Sequence, residues 1–429
     1  MSARSKRHVK ARTVTLPTFV LSELCSRDDL GAVSRQIPSN DGRRSVVYYF
    51  RPAGRGDARE FEDTEYLEQY NLLPVVLDRD GRPWEPAAAY LLARLRRQPV
   101  PNMYTFQGIA DDLAAFVEFL TEKGLDYTVF PENQRLRPTY KFRGYLRAKI
   151  RDGYIAASTA RRRMGSVIAF YRWLQEAGML TFDHNPWVEH DVHITVKDAR
   201  GATSLRKRKA TDLSIPVPDR SDPFQPEIDD GGRLRPLSTE EQGWVISALS
   251  RLGNIEMTLI HLFMLTTGAR IQTALTMRVR HFRSETPRSV THIRTKIGPG
   301  TGIDTKNDRP MTLHVPCDVY TKLHNYIKSQ RAISRRQRGR EEDQSDPYVF
   351  VTQQGTPYYE SKSAFSRYDS SFDRRHRKRG QTVRMFIRDH VLPHIHDHFS
   401  EQFHYRVHDL RASYGGVDPV TQDTRTQLG

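Results

Sequence analysis

Apolar residues recur at helical spacing through most of this chain and at alternate positions in only a few short runs. From Ile255 to Leu265 almost every position is apolar, which predicts a buried helix, and Gly268 ends it so that Arg270 opens the next one. Further back, Ile109, Leu113, Phe116, Val117 and Leu120 share one helical face closed by Gly124, and Leu146 and Ile150 precede a stop at Gly153. Met164, Val167, Ile168, Tyr171 and Leu174 make the stripe of another helix, so Phe170, Tyr171 and Trp173 read as core. Ser238 followed by Glu241 is a capping box, and the helix it opens carries Trp244, Val245, Ile246 and Leu249 as far as Gly253. A further helix is expected near Val319 to Ser329. Strands are expected at Val46 to Phe50, Ser289 to Thr295, Met311 to Pro316 and Tyr348 to Val351, with turns at Asp78 to Gly81 and Gly355 to Pro357. In the third strand Met311, Leu313 and Val315 alternate with Thr312 and His314, the period of a half-buried strand.

This pattern predicts a mainly α protein with a small β-sheet. Residues 1–85 hold a basic arm (Arg4, Lys6, Arg7, Lys10, Arg12) and no assignable fold; 86–190 form a helical domain; 191–235, rich in Pro and Asp from Ile215 to Gly232, read as a linker; 236–429 form an α+β domain. No apolar run reaches the ~20 residues of a membrane span, and no apolar segment follows the basic start, so neither a span nor a signal peptide is expected and the chain is read as cytoplasmic. Two cysteines, Cys25 and Cys317, give no Cys-x-x-Cys spacing and no disulfide framework.

Charge changes the picture more. Lys and Arg number 67 against 51 Asp and Glu, a net charge of +16. Basic residues scattered along the whole chain suit a polyphosphate partner better than a membrane, which favours one basic amphipathic helix. Duplex DNA is therefore the expected partner. The exposed side of the 158–174 helix presents Arg161, Arg162 and Arg172, and the linker carries Arg206, Lys207, Arg208 and Lys209; these seven are the candidate DNA-binding residues. The loop from Gly298 to Arg309 is glycine-rich but lacks the Gly-Lys-Ser/Thr ending of a nucleotide-binding loop. His390, His394, His396 and His398 match no zinc motif with a supporting carboxylate, so no metal site is expected.

Candidate chemistry comes from three places. Arg270 stands at a helix start beside the core, where a guanidinium suits a phosphate. Lys306 sits where a hairpin can push an ammonium outward. His408 and Arg411, three apart, share a helix face. Two arginines, a lysine and a histidine fit metal-free phosphoryl transfer on DNA: arginines hold non-bridging oxygens, a lysine protonates a leaving oxygen, and a histidine handles a proton or a phosphate hydrogen bond.

The ordering resembles the tyrosine recombinase (phage integrase) family, in which a Thr-Gly-x-Arg box, a hairpin lysine and a His-x-x-Arg box follow a helical core-binding domain. Here those are Thr267 to Arg270, Lys306, and His408 to Arg411, after Ser158 to Ala160 and Phe170 to Leu174; the likeness covers residues 86–415 or so. It implies a helical core-binding domain plus an α+β catalytic domain, catalytic roles for Arg270, Lys306, His408 and Arg411, strand cleavage through a 3′-phosphotyrosine, no cofactor and no metal, and a homotetramer on two duplexes. Two positions depart from the pattern. Thr273 stands where the family commonly has an acid. After Arg411 the family needs a His or Trp and then the nucleophilic Tyr several tens of residues on, whereas these 429 residues offer only Tyr414, in the same turn as Arg411. No nucleophile is assigned, and cleavage by this chain alone is not expected. The alternatives are a catalytically silent protein that occupies recombination sites and, less consistent with the core-binding helices, a type IB topoisomerase-like enzyme, which supercoil relaxation without site preference would reveal.

Overall fold

In the computed structural model, described for residues 9–29, 31–38, 45–52, 68–98, 101–197, 203–217, 228–229, 233–285, 290–339, 345–362, 364 and 378–416, the apolar positions gather into two cores. Each belongs to its own unit, and the boundary in the main run of chain falls at Arg220 and Ser221.

The first unit begins with strands β1 (Arg12–Val20), β2 (Ser22–Leu24), β3 (Val33–Pro38), β4 (Ser45–Pro52) and β5 (Gln69–Leu77). β1 and β5 pair antiparallel, and β2, β4 and β3 form a small sheet in that order. The strand expected at Val46 to Phe50 lies within β4, and the turn at Asp78 to Gly81 follows β5, with Gly81 at φ 80°. Helices α1 (Glu85–Arg96), α2 (Met103–Lys123), α3 (Pro138–Arg151) and α4 (Ala157–Glu176) come next. Asn102 caps α2 through the Tyr104 N–H, and Gly124 closes it in the left-handed conformation. The core packs Phe116 edge-on to Phe142 at 5.0 Å and Phe130 edge-on to Tyr171 at 5.3 Å.

Two parts of the expected division change. The first core does not stop at residue 86: Tyr70, Leu73 and Val76 of β5 belong to it, and the Ala11 N–H and Arg79 both reach Glu118 of α2. The Arg79 hydrogen bond holds the Glu118 carboxyl below its usual range. Nor is 191–235 a featureless linker, because β6 (Glu189–Lys197) and β7 (Thr203–Thr211) pair through nine positions, and Leu213 and Ile215 return to the first core. Sequence spacing hid both features: β1 finds its partner about fifty residues away, and the β7 pattern is masked by the charges that cover it.

The second unit opens with the short pair β8 (Ile228–Asp229) and β9 (Arg233–Leu234). Helices α5 (Thr239–Leu252), α6 (Ile255–Thr267) and α7 (Ile271–Leu275) follow, then the hairpin β10 (His292–Ile297) and β11 (Met311–Pro316), and helices α8 (Cys317–Lys328) and α9 (Gln330–Gln337). The capping box of Ser238 and Glu241 is present. β10 starts three residues later than expected, and residues 286–289 lie outside the described ones. In β11, Leu313 and Val315 face the core as their alternation requires, but Met311 is 48% exposed because it lies at the loop end of the strand. Tyr348 to Val351 is a buried extended segment bridged to Arg278 and Pro357 rather than a full strand. The chain ends in α10 (Gln381–Phe386), a π turn (Ile387–Val391), α11 (Leu392–His398) and α12 (Val407–Ala412). Pro393 cannot donate to the carbonyl four residues back, and the widened turn just before it absorbs the missing bond. No described helix is long and apolar enough to cross a membrane.

Candidate functional site

The three candidate boxes meet around the corner between α6 and α7. Helix α6 is apolar on nearly every side and is buried on most of them, which fixes its end in the core. Gly268 caps it at φ 64°, and its N–H bonds the Met264 carbonyl. Ala269 and Ile271 are buried on either side of Arg270, which is the N-cap of α7 and is half-buried. The backbone thus places one guanidinium at a largely buried corner.

The 298–310 loop is tied to the same corner. Asp304 accepts from Gln272 Nε2 at 3.2 Å, its carbonyl accepts from Thr273 Oγ1 at 3.0 Å, and its N–H donates to Thr276 Oγ1 at 3.0 Å. The N–H of Lys362 reaches the Asp304 carboxylate at 2.9 Å. Lys306, two residues beyond this anchor, is exposed, and the chain then turns through Asn307 and Asp308 at φ 59° and 53°. The Lys362 ammonium bonds Asp308 Oδ1 at 2.6 Å and braces that turn. Thr273, which departs from the family pattern, serves here as a donor to the loop, and the acid beside α7 comes from Asp304.

Helix α12 supplies the third part. Its Val407, Leu410 and Ala412 are buried, while His408 and Arg411 are half-buried on the other side. Asp409 is buried and accepts from the N–H groups of Arg406 at 2.7 Å and Arg235 at 3.2 Å. Ser413 Oγ donates to the Asp409 carbonyl and accepts from the Leu237 N–H, so the start of α5 clamps the end of α12. Tyr414 follows in the next turn, 47% exposed, and its ring lies 3.1 Å from where a Cβ on Gly268 would stand. Gly268 is therefore required twice, by its left-handed backbone and by this close approach.

Beneath the corner lies a buried polar pair. His261 of α6 bonds the Met257 carbonyl through Nδ1 at 2.7 Å, and its Nε2 meets Tyr405 Oη at 3.1 Å. Burial lowers the His261 pKa to about 4 and pushes the Tyr405 phenol well up. The imidazole is neutral at pH 7, and Tyr405 is held a few residues before His408.

The seven candidate DNA contacts are less free than their sequence suggests. Arg162 bonds Asp112 at 2.8 Å and the Gly108 carbonyl; burial pushes the Asp112 carboxyl up, against the Ser166 hydrogen bond and the charges of Arg162 and Arg163. Arg172 pairs with Glu189 at 2.8 Å and lies over the Trp187 ring. Lys207 and Lys209 reach diagonally across the hairpin to Asp191 at 2.8 Å and Glu189 at 3.5 Å. Arg161 and Arg208 are exposed, and the side chain of Arg206 lies outside the described residues. Sequence reasoning read the apolar positions of α3 but missed its charge: Lys141, Arg143, Arg147, Lys149 and Arg151 stand on a helix without a single acid. That signal was present in the composition of the segment, which was read only for its apolar positions Leu146 and Ile150. Among the histidines, His394 and His398 stack at 4.2 Å and His396 bonds the Phe403 carbonyl; no three His, Cys, Asp or Glu among the described residues are grouped to hold a metal.

No protein-family model and no curated protein matches the chain. Among solved structures it is similar to the Tn1549 transposon integrase (residues 82–397) in complex with circular intermediate DNA, at 13% identity and TM-score 0.43 over 78% of this chain and 89% of that one. It is similar also to a lambda integrase tetramer bound to a Holliday junction, at 11% identity and TM-score 0.42 over 80% of this chain and 75% of that one.

Proposed function

We propose that this chain is a site-specific DNA-binding protein of the tyrosine recombinase class, which grips one phosphate of its target at the α6–α7 corner. The observation that carries the reading is the convergence there of three segments distant in sequence, bearing Arg270, Lys306, and His408 with Arg411. Arg270 and Arg411 would hold the two non-bridging oxygens of the phosphate, in the charge-assisted geometry guanidinium groups favour. Lys306, exposed on an anchored loop, would supply the proton for a departing 5′ oxygen, and His408 a hydrogen bond to the phosphate. The basic helices α3 and α4 and the exposed Arg161 and Arg208 would supply backbone contacts.

Strand cleavage further needs a nucleophile. Among the described residues after Arg411 the one tyrosine is Tyr414, whose ring packs beside Gly268. A second reading is a protein that occupies recombination sites without cutting them.

Two measurements separate these. In the double variant Arg270→Ala/Arg411→Ala, duplex binding is expected to persist while the slope of log affinity against log salt falls by about one, the loss of a single phosphate contact. A methylphosphonate scan should then show one position that weakens the wild type but not the variant. Loss of nearly all binding in the variant would contradict the assignment. Incubating these 429 residues with a nicked suicide substrate is expected to leave no denaturation-resistant protein–DNA band; such a band would restore the cleaving reading and identify its nucleophile.

A further inference from the structure

The outer face of the β10–β11 hairpin carries cations that the α6–α7 corner does not use. Along β10 the side chains alternate, with Thr295 and Ile297 buried and His292, Arg294 and Lys296 exposed. The register sets Arg294 opposite His314 and Lys296 opposite Thr312, and neither strand contains an acid. Neither Arg294 nor Lys296 makes an ion pair among the described residues. β10 bonds to no described strand except β11, and its free edge borders an open cleft of about 640 Å³ lined by Arg280, His281, Glu285, Arg294 and Lys296. On the far wall Arg280 is held in place by Asp346 at 2.9 Å and by the Thr301 carbonyl.

A lysine on an edge strand is commonly a guard against unwanted strand pairing. That explains one cation. It does not explain a second on the same face about 7 Å away, nor an arginine fixed across the cleft, so that three permanent positive charges border one concavity against two carboxylates, Glu285 on its lining and Asp346 behind Arg280. A concave surface lined by one sign of charge concentrates its potential and attracts a polyanion. His281 adds no charge there at neutral pH, since burial lowers its pKa.

We propose that this cleft and the adjoining face of β10 form a second phosphodiester-binding surface, in which Arg280, Arg294 and Lys296 take a stretch of nucleic-acid backbone other than the one at the α6–α7 corner. The proposal rests on the DNA-binding reading. Arg280 is the pre-oriented donor, and Arg294 and Lys296 are solvated cations that exchange counterions for phosphates.

The test compares three full-length proteins on one duplex: the wild type, Arg294→Ala/Lys296→Ala, and Lys322→Ala/Lys328→Ala, two exposed lysines of α8 that lower the net charge equally. The first variant is expected to reduce the slope of log affinity against log salt by about two. Its affinity loss between 50 and 200 mM salt then shrinks roughly ten-fold relative to wild type. The α8 variant keeps the wild-type slope, and thermal unfolding of both is unchanged because the substituted side chains are exposed. A β10 variant that matches the α8 variant overturns the second surface and leaves the DNA-binding reading standing. A wild type with no salt-dependent duplex binding overturns both.

Discussion

Glu256→Ala is expected to destabilise the second unit by about 3–5 kcal/mol, the cost of leaving a buried charge without its partner. Glu256 is fully buried at the start of α6, where its carboxylate takes a two-pronged hydrogen bond from Arg331 at 2.7 and 2.9 Å, a third contact from Arg335 at 3.1 Å, and the Tyr326 hydroxyl at 3.1 Å. Burial would push this carboxyl up, but the Arg331 hydrogen bonds and the Arg335 charge outweigh it and hold the group below its usual range. Arg331 is partly exposed and can rehydrate when the acid is removed. Arg335 is buried, and its other partners, the Val351 carbonyl and the Tyr358 hydroxyl, carry no charge to replace the acid, so the penalty falls on it. Urea unfolding followed through Trp244, which stacks on Phe399 within the second unit, should show the midpoint drop while the first unit's transition stays in place. An unchanged Trp244 transition would mean that water reaches Arg335. Glu256→Gln, which keeps shape and one acceptor, is expected to lose less.

The second large effect is one of pH. His261 has a folded pKa of about 4 against an ordinary value near 6.5. Between those limits the unfolded chain binds a proton that the folded chain refuses, so stability rises with pH across the window. The contribution is fully present above pH 6.5 and is lost as pH falls toward 4, on the order of 3 kcal/mol in all. The unfolding temperature of the second unit should therefore fall steeply from pH 6.5 to 4.5. His261→Gln, with no titratable ring, should flatten that fall by one proton's worth of slope, and equal slopes in the two proteins would show that the imidazole is already hydrated.

Both residues sit on α6, and the sequence made this helix legible because apolar residues fall on nearly every side of it. Its end was legible too, since Gly268 is the residue a left-handed cap selects. The same holds for the capping box of α5 and the alternation at Leu313 and Val315. What stayed hidden has a common cause. The β1–β5 pairing, the bond from Asp304 to α7 and the seat of Tyr414 on Gly268 all join segments far apart in sequence, and local patterns carry no record of partners. Charge misled in a different way: Arg162, Arg172, Lys207 and Lys209 counted as free cations until the carboxylates beside them came into view. The candidate site was thus visible as a set of residue types in order, while the anchoring that brings their segments to one corner was not.

The docking of α12 on α6 has a consequence for the life of the chain. The two arginines stand 411 − 270 = 141 positions apart, and the segment bearing the second is held by contacts to Leu237, Arg235 and Gly268, all made much earlier in synthesis. A nascent chain that has not yet reached α12 can build α5, α6 and the hairpin, yet has nothing to lay against Gly268. The corner at Gly268 is therefore completed only once α12 has been made, after the helical first unit has had time to fold.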